Sequence, residues 1–244
     1  MEDTAPDHST FSRFRQRISK DTMDKINNEI LNQFHQKGIS INKGVAVDAR
    51  LIESASKPIS NDDIQKLKEA KPTNDKPKKF TRDLESTWTI KNDKPHYGIK
   101  EHVSVDTTNG FVLSMTLSTA SDHDYKYLPY CVATSKHTDE QIEGAYADKG
   151  YSGKSNRAFL AMNKIKDFIM RKDTKNSKLT QYEKERNKAI AKIRYIVEQY
   201  FGITQLKNFA NKARFTTIIK NLMDASYRQI SFNLQRALKV LPVY

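Results

Sequence analysis

The spacing of apolar residues changes period several times along the chain, and each change predicts a new element. Helical spacing predicts two short helices at residues 11–18 and 22–37, with Gly38 ending the second. Residues 44–52 form a compact apolar run that predicts a strand, interrupted by Asp48. A carboxylate inside a buried strand is costly unless it is paired or binds a metal ion. Asp48 therefore requires a specific explanation.

The middle of the chain has the clearest strand pattern. Two alternating runs joined by an Asn-Gly turn predict a hairpin, with strands at 98–106 and 111–117. Asp106 ends the first of these strands, and we interpret it as a cap for the turn. A helix over 124–135 is predicted to follow. Three polar residues open that helix, His123 among them, and we interpret them as caps rather than metal ligands.

A second carboxylate stands where a short apolar run ends. Asp148 closes this predicted strand, and the glycine-rich turn Lys149-Gly-Tyr-Ser-Gly153 follows at once. In α/β folds, catalytic and binding residues commonly lie where strands end and loops begin. An ordinary strand-ending turn is the alternative, since Asp and Gly are common there.

The remaining pattern is mainly helical. It predicts a helix at 156–165, a strand at 167–170, a long helix from about 180 past Glu198, and a last helix at 215–241. Glu198 borders the apolar stripe of the long helix, one turn after Arg194. An ion pair between these two residues is the alternative to a functional role for Glu198.

Composition divides the chain into segments. Residues 57–93 are charged and interrupted by prolines, which predicts a solvated insertion or linker with one short helix near 62–70. The predicted organisation is a helical N-terminal segment at 1–38 and a catalytic domain at 39–241 that contains this insertion. The catalytic domain holds all the predicted strands.

The positive charge is concentrated in one part of the chain. The whole chain has a formal net charge of +13, and the segment from Lys149 to Lys220 has 18 basic and 5 acidic residues, so it accounts for all of that charge. A polyanion is the expected partner, most simply double-stranded DNA bound through its phosphates. The segment begins one residue after Asp148.

The cellular setting follows from what the sequence contains. Cys131 is the single cysteine and lies in an apolar run, so we interpret it as a buried small hydrophobe in a reducing compartment. No apolar run approaches the roughly 20 residues of a membrane span. We expect a cytoplasmic, nucleoid-associated protein without a membrane partner.

The order of elements is that of an RNase H-like α/β domain, with a mixed five-stranded sheet flanked by helices. In that arrangement the strands of Asp48 and Asp148 are adjacent, and the late helix brings Glu198 against them. Three carboxylates favour Mg²⁺ or Mn²⁺ over zinc, which prefers His or Cys. Two such ions could activate a water or a 3′-hydroxyl for phosphodiester chemistry.

Several motifs together resemble the Asp-Asp-Glu (DDE) transposases of bacterial insertion sequences, most closely the insertion-sequence-five group. The matching pieces span nearly the whole chain: Pro6-Asp-His-Ser-Thr-Phe-Ser-Arg-Phe-Arg15, Val45-Ala-Val-Asp-Ala49, Trp88 with His96-Tyr-Gly-Ile-Lys100, Ala147-Asp-Lys-Gly-Tyr151 and Arg194-Tyr-Ile-Val-Glu198.

The resemblance implies a metal-dependent transposase that cleaves DNA at inverted-repeat ends and transfers the strands to target DNA. It implies Asp48, Asp148 and Glu198 as the catalytic and metal-binding triad and a homodimer in the synaptic complex. Contacts with DNA are expected from six residues around this triad: Lys149, Tyr151, Lys154, Arg157, Arg194 and Lys207.

The chain departs from the family pattern in two respects. The family usually has Tyr three residues before the Arg and Lys seven residues after the Glu, where this chain has Ala191 and Gln205; Lys207 is the substitute we expect. The chain also begins near the point where the family's N-terminal DNA-binding domain ends, so impaired end recognition is expected. An inactive DNA-binding remnant and a host RNase H-like nuclease are the alternative functions.

Overall fold

A single mixed sheet organises the protein. The computed structural model describes residues 7–41, 43–69, 82–135, 142–174 and 177–240. Within them six strands pair in the order β2-β3-β1-β5-β6, with β4 also pairing with β3. The strands are β1 (Gly44–Glu53), β2 (Thr87–Lys91), β3 (Lys94–Asp106), β4 (Val112–Thr119), β5 (Gly144–Ala147) and β6 (Lys166–Ile169).

Helices cover both faces of this sheet. They are α1 (His8–Arg17), α2 (Lys20–Gln36), α3 (Asn61–Glu69), α4 (Leu128–Ala133), α5 (Lys154–Met162), α6 (Gln181–Asn208) and α7 (Ile218–Val240), with 3₁₀ turns at Asp124–Tyr127 and Lys149–Tyr151. The mixed α/β class predicted from the sequence is confirmed. No helix among the described residues is long and apolar enough to cross a membrane.

The sheet has one strand more than predicted. Strand β2 lies inside the stretch 57–93 that we interpreted as a solvated insertion, and that interpretation is wrong for residues 87–91. The short helix expected in the same stretch is confirmed as α3. Among the described residues β2 pairs with β3 alone. Its sequence Thr-Trp-Thr-Ile-Lys alternates polar and apolar residues, but it is short, it adjoins charged and proline-containing sequence, and its apolar residues are exposed. Residues 70–81 lie outside the described residues.

The alternation of β1 assigns its side chains to two separate cores. Val45 and Val47 belong to the core shared with α2, α4 and α5, whereas Ala46 belongs to the core shared with α6 and α7. Because successive side chains point to opposite faces of a strand, Asp48 lies on the same face as Ala46. That face is covered by α6.

Helix α6 begins and ends with well-defined caps. Thr180 and Glu183 form a reciprocal capping box at its start, and Phe209 ends it in the left-handed conformation with φ of 51°. The helix contacts β1, β3 and β5. It therefore carries Arg194 and Glu198 along the face on which Asp48 lies.

Helix α2 packs into the body of the protein. Leu31 is fully buried in the first core, and the Asn27 side-chain oxygen accepts a 2.8 Å hydrogen bond from the amide of Asn233 on α7. The same amide of Asn233 donates to the carbonyl of Val112 on β4. The helices predicted near the N-terminus are thus present, and their interpretation as the tail of a DNA-binding region stays a prediction.

Candidate active site

Two of the three predicted carboxylates are brought together by parallel strand pairing. Strands β1 and β5 are in register with Val47 opposite Ala147, and Asp48 and Asp148 are the next residues on their chains. Asp148 follows the end of β5 and caps the 3₁₀ turn by accepting the backbone N–H of Lys149. The adjacency predicted for these two carboxylates is therefore observed.

Asp48 is held by one contact at each oxygen. Its Oδ2 lies 2.7 Å from Nη2 of Arg194, and its Oδ1 accepts a 2.8 Å hydrogen bond from the backbone N–H of Ala49. Only 22% of the Asp48 side chain and 11% of the Arg194 side chain are exposed. Arg194 thus pairs with Asp48, and the pairing with Glu198 that we considered from the sequence is not the contact formed.

Burial dominates the electrostatics of Asp48. Burial raises the pKa of the Asp48 carboxyl above its ordinary value, and the charges of Asp148 and Asp124 raise it further. The Arg194 guanidinium and the Ala49 N–H act in the opposite direction. Crowding of carboxylates on a partly desolvated surface is relieved by a bound cation.

Glu198 lies one turn beyond Arg194 on α6 and is exposed. Since residues four apart share a helix face, its side chain projects from the same side of α6 as the guanidinium that reaches Asp48. Among the described residues, no three Asp, Glu, His or Cys side chains are grouped closely enough to hold a metal ion. Asp48 and Asp148 therefore lie side by side, whereas Glu198 is not close enough to form a three-carboxylate site with them.

Asp124 is a carboxylate beside the site that the sequence reasoning missed. Its Oδ1 lies 2.9 Å from Nζ of Lys100, and its charge raises the pKa values of Asp48 and Tyr151. We interpreted the polar run before the helix as caps, but the N-cap residue of the 3₁₀ turn is His123 and its side chain forms no capping hydrogen bond. Its position beside Asp48 depends on contacts distant in sequence, so no local signal could have found it.

The residues predicted to contact DNA fall into three groups. Lys149, Lys154 and Lys207 are exposed. Arg157 is half-buried and lies 2.8 Å from Asp167. Arg194 is committed to Asp48, as described above.

Tyr151 does not fit the prediction of a DNA contact. Only 1% of the residue is exposed, and its hydroxyl has no hydrogen-bond partner among the described residues. Its ring belongs to the first core, and burial raises the pKa of its hydroxyl well above the ordinary value. The Tyr151 ring lies within the glycine-rich turn and packs inward, where it closes the end of the first core.

Cys131 is confirmed as a buried small side chain. It is fully buried in the first core, and burial raises the pKa of its thiol to about 12. A thiol with such a pKa stays protonated, so it is neither a nucleophile nor a metal ligand at neutral pH.

The mixed α/β fold is that of the DDE transposases, and the comparison with family models agrees. A model described as transposase DDE domain matches residues 40–231, which is most of the chain. The chain therefore belongs to this family.

An individual relative gives the same result. The transposase for insertion sequence element IS1106 of Neisseria meningitidis serogroup B is 30% identical over 236 residues, covering 93% of this chain and 77% of that protein. The chain is thus a transposase, an enzyme of the polynucleotidyl transferase type that cuts and joins DNA strands with divalent metal ions.

Proposed function

We propose that Asp48, Asp148 and Glu198 hold the divalent cations of this transposase. The observation that carries the proposal is the register of β1 and β5, which sets Asp48 beside Asp148 under the helix that bears Glu198. The raised pKa of Asp48 supports it, because burial disfavours the charged carboxylate and a bound cation would stabilise that form. Closure of the triad requires Glu198 to approach the two aspartates.

The donor set fits hard cations. All three side chains offer only oxygen, and Mg²⁺ and Mn²⁺ prefer such ligands, whereas zinc prefers His and Cys. We propose two ions at this site. When bound, they supply an activated water or 3′-hydroxyl and stabilise the leaving oxygen of the phosphodiester.

The protein's own residues prepare the site for these ions. The Ala49 N–H fixes the Asp48 carboxylate, and Arg194 supplies a positive charge that keeps it ionised. Arg194 and a cation compete for the same carboxylate oxygen, so we expect Arg194 to move to a DNA phosphate when the site is filled. Lys149, Lys154 and Lys207 are exposed and are proposed to contact further phosphates.

The substrates follow from the family. We propose that the enzyme cleaves at the inverted-repeat ends of its insertion sequence and joins them to target DNA. Paired ends require two active sites, so we propose a homodimer in the complex that holds both ends together.

Cleavage of a duplex that carries the end sequence tests the proposed triad. Asp48→Asn, Asp148→Asn and Glu198→Gln should each lower the Mg²⁺-dependent cleavage rate by at least about 100-fold, since loss of even an outer partner of a metal site costs 10–100-fold. Calorimetric Mn²⁺ binding should weaken in each variant. Glu185→Gln is the matched control, because Glu185 is an exposed carboxylate on the same helix.

Two results would contradict this assignment. One is cleavage without a divalent cation, and the other is cleavage that survives all three substitutions. DNA binding with steep salt dependence and no cleavage under any divalent cation would favour a DNA-binding remnant instead.

A further inference from the structure

The tip of the hairpin formed by β2 and β3 carries a charge arrangement that does not stabilise the fold. Its two turn residues, Asn92 and Asp93, have φ of 52° and 58°, as a two-residue turn with the twist of a hairpin requires. The strand register places Lys91 directly opposite Lys94. Like charges at opposed positions of two strands are destabilising, so this pair needs a reason outside the fold.

The next pair along the hairpin is apolar and exposed. Ile90 lies opposite Pro95, and 76% of Ile90 is exposed. In the described part of the chain β2 pairs with β3 alone, and an exposed isoleucine on such an edge strand favours aggregation unless a partner covers it. An apolar tip flanked by lysines suits DNA, because lysines pair with phosphates and an isoleucine can enter the minor groove.

The hairpin tip borders two cavities near the proposed site. A cavity of about 210 Å³ is lined by Ile90 and Lys91 of the hairpin, by Asp124 and by Ala49, the residue after Asp48. A second cavity, of about 440 Å³, shares Lys91 and adds Lys94 and His96. The hairpin therefore lines the same cavity as Asp124 and as the residue next to Asp48.

We propose that the β2–β3 hairpin is a DNA-contacting finger that holds the duplex flanking the cut, with Lys91 and Lys94 on phosphates and Ile90 against the groove. The inference rests on the proposed function, since it places this contact beside the proposed triad. It also adds a DNA surface outside the basic segment Lys149–Lys220. Charge complementarity and the cavity that the hairpin shares with Asp124 and Ala49 single out DNA as the occupant.

Salt-dependent DNA binding tests the finger. Anisotropy of a fluorescein-labelled mixed-sequence duplex gives the slope of log K against log salt, which changes by about 0.9 for each phosphate contact. The double variant Lys91→Ala/Lys94→Ala should flatten this slope by about 2. The matched control is Lys37→Ala/Lys239→Ala, which removes two exposed lysines, one at the end of α2 and one on α7.

Trp88, the single tryptophan, lies on β2, so its fluorescence emission should respond to added duplex in the control variant and not in the double variant.

Two further substitutions separate DNA contact from a structural role. Lys94→Glu creates an opposite-charge pair with Lys91 and protects the strand edge as well as lysine does, so the melting temperature should hold or rise while DNA affinity falls. Ile90→Ser should lower the affinity and leave the salt slope unchanged, because it removes an apolar contact only.

The outcomes distinguish failure of the finger from failure of the proposed function. If the wild-type protein binds and cleaves DNA while the double variant keeps its affinity and salt slope, the finger is overturned and the triad stands. If the double variant instead loses dimerisation in sedimentation velocity at unchanged DNA affinity, the hairpin serves a second copy and the proposal is also overturned. Absence of any DNA binding by the wild type would sink the proposed function itself.

Discussion

At the scale of single residues, His102 connects the core to the neighbourhood of the active site. It is opposite Ala49 in the pairing of β3 with β1, is fully buried, and its Nε2 lies 2.7 Å from Ser118 Oγ. Burial lowers the pKa of His102 to about 4; Asp124 and Asp122 oppose this shift, and Lys100 adds to it. The imidazole is therefore neutral in the folded protein at pH 7.

His102 predicts a specific loss of stability in mild acid. His102 takes up a proton near pH 6.5 in the unfolded chain and only near pH 4 in the folded chain. The stabilisation that comes from its neutral form is therefore complete above pH 6.5 and is lost as the pH falls towards 4. The free energy of unfolding should fall by about 3 kcal/mol over this window because of His102. Urea titrations at several pH values measure it, and His102→Gln should flatten the dependence. An unchanged pH dependence in His102→Gln would show that other groups cause it.

The same scale shows what a sequence can reveal about a site. Asp48 and Asp148 were predictable because a carboxylate that interrupts or ends a buried apolar run is costly and must have a reason. Asp124 and the inward ring of Tyr151 were not, since each is defined by contacts with residues far along the chain. Local pattern carries no information about such contacts.

At the scale of elements, Arg50 ties α6 to the sheet. Its guanidinium lies 2.6 Å from Glu101 on β3 and donates to Thr204 Oγ1 and to the Phe201 carbonyl on α6. The Tyr200 hydroxyl donates to the other oxygen of Glu101 at 3.1 Å. Glu198 lies between this tie and the Arg194–Asp48 contact, so the two together fix the segment of α6 that carries it.

Breaking the tie should cost more than an ordinary ion pair. Glu101 is fully buried, so Arg50→Met or Glu101→Gln alone should lower the free energy of unfolding by about 3–5 kcal/mol, because a buried charge loses its partner. The double variant Arg50→Met/Glu101→Leu should recover most of that loss. Urea unfolding measures each free energy. Lys25→Met removes the exposed pair with Asp21 and should cost less than about 1 kcal/mol. Losses of similar size at both pairs would refute the special role of the tie.

Elements were predictable where their pattern was strong. The neighbouring positions of β1 and β5 and the long helix α6 follow from apolar runs, caps and the order of elements. Strand β2 was missed although Trp88 and Ile90 alternate with polar residues, because the run is short and lies in a charged, proline-interrupted stretch. Its pairing with β3 adds the sixth strand to the sheet, and that pairing depends on tertiary structure.

At the scale of the whole molecule, part of the basic segment forms a row of lysines on α6. Lys184, Lys188 and Lys192 are exposed and four residues apart, so they form one row along the helix, about 6 Å between neighbours. The same helix carries Arg194 and Glu198. The lysine row and the proposed chemistry are thus on one helix, with the row N-terminal to Arg194 and Glu198.

This separation predicts that DNA affinity and cation affinity can be changed independently. The triple variant Lys184→Ala/Lys188→Ala/Lys192→Ala should flatten the slope of log K against log salt by about 3, since each lost phosphate contact contributes about 0.9. Mn²⁺ affinity, measured by calorimetry without DNA, should stay close to the wild-type value, because the three lysines are not among the proposed cation ligands. Asp48→Asn should do the reverse, weakening Mn²⁺ binding and leaving the salt slope intact. The triple variant Lys25→Ala/Lys37→Ala/Lys239→Ala, outside the basic segment, controls for general loss of charge. Equal slopes in the two triple variants would mean that net charge alone, and not the row on α6, binds the DNA.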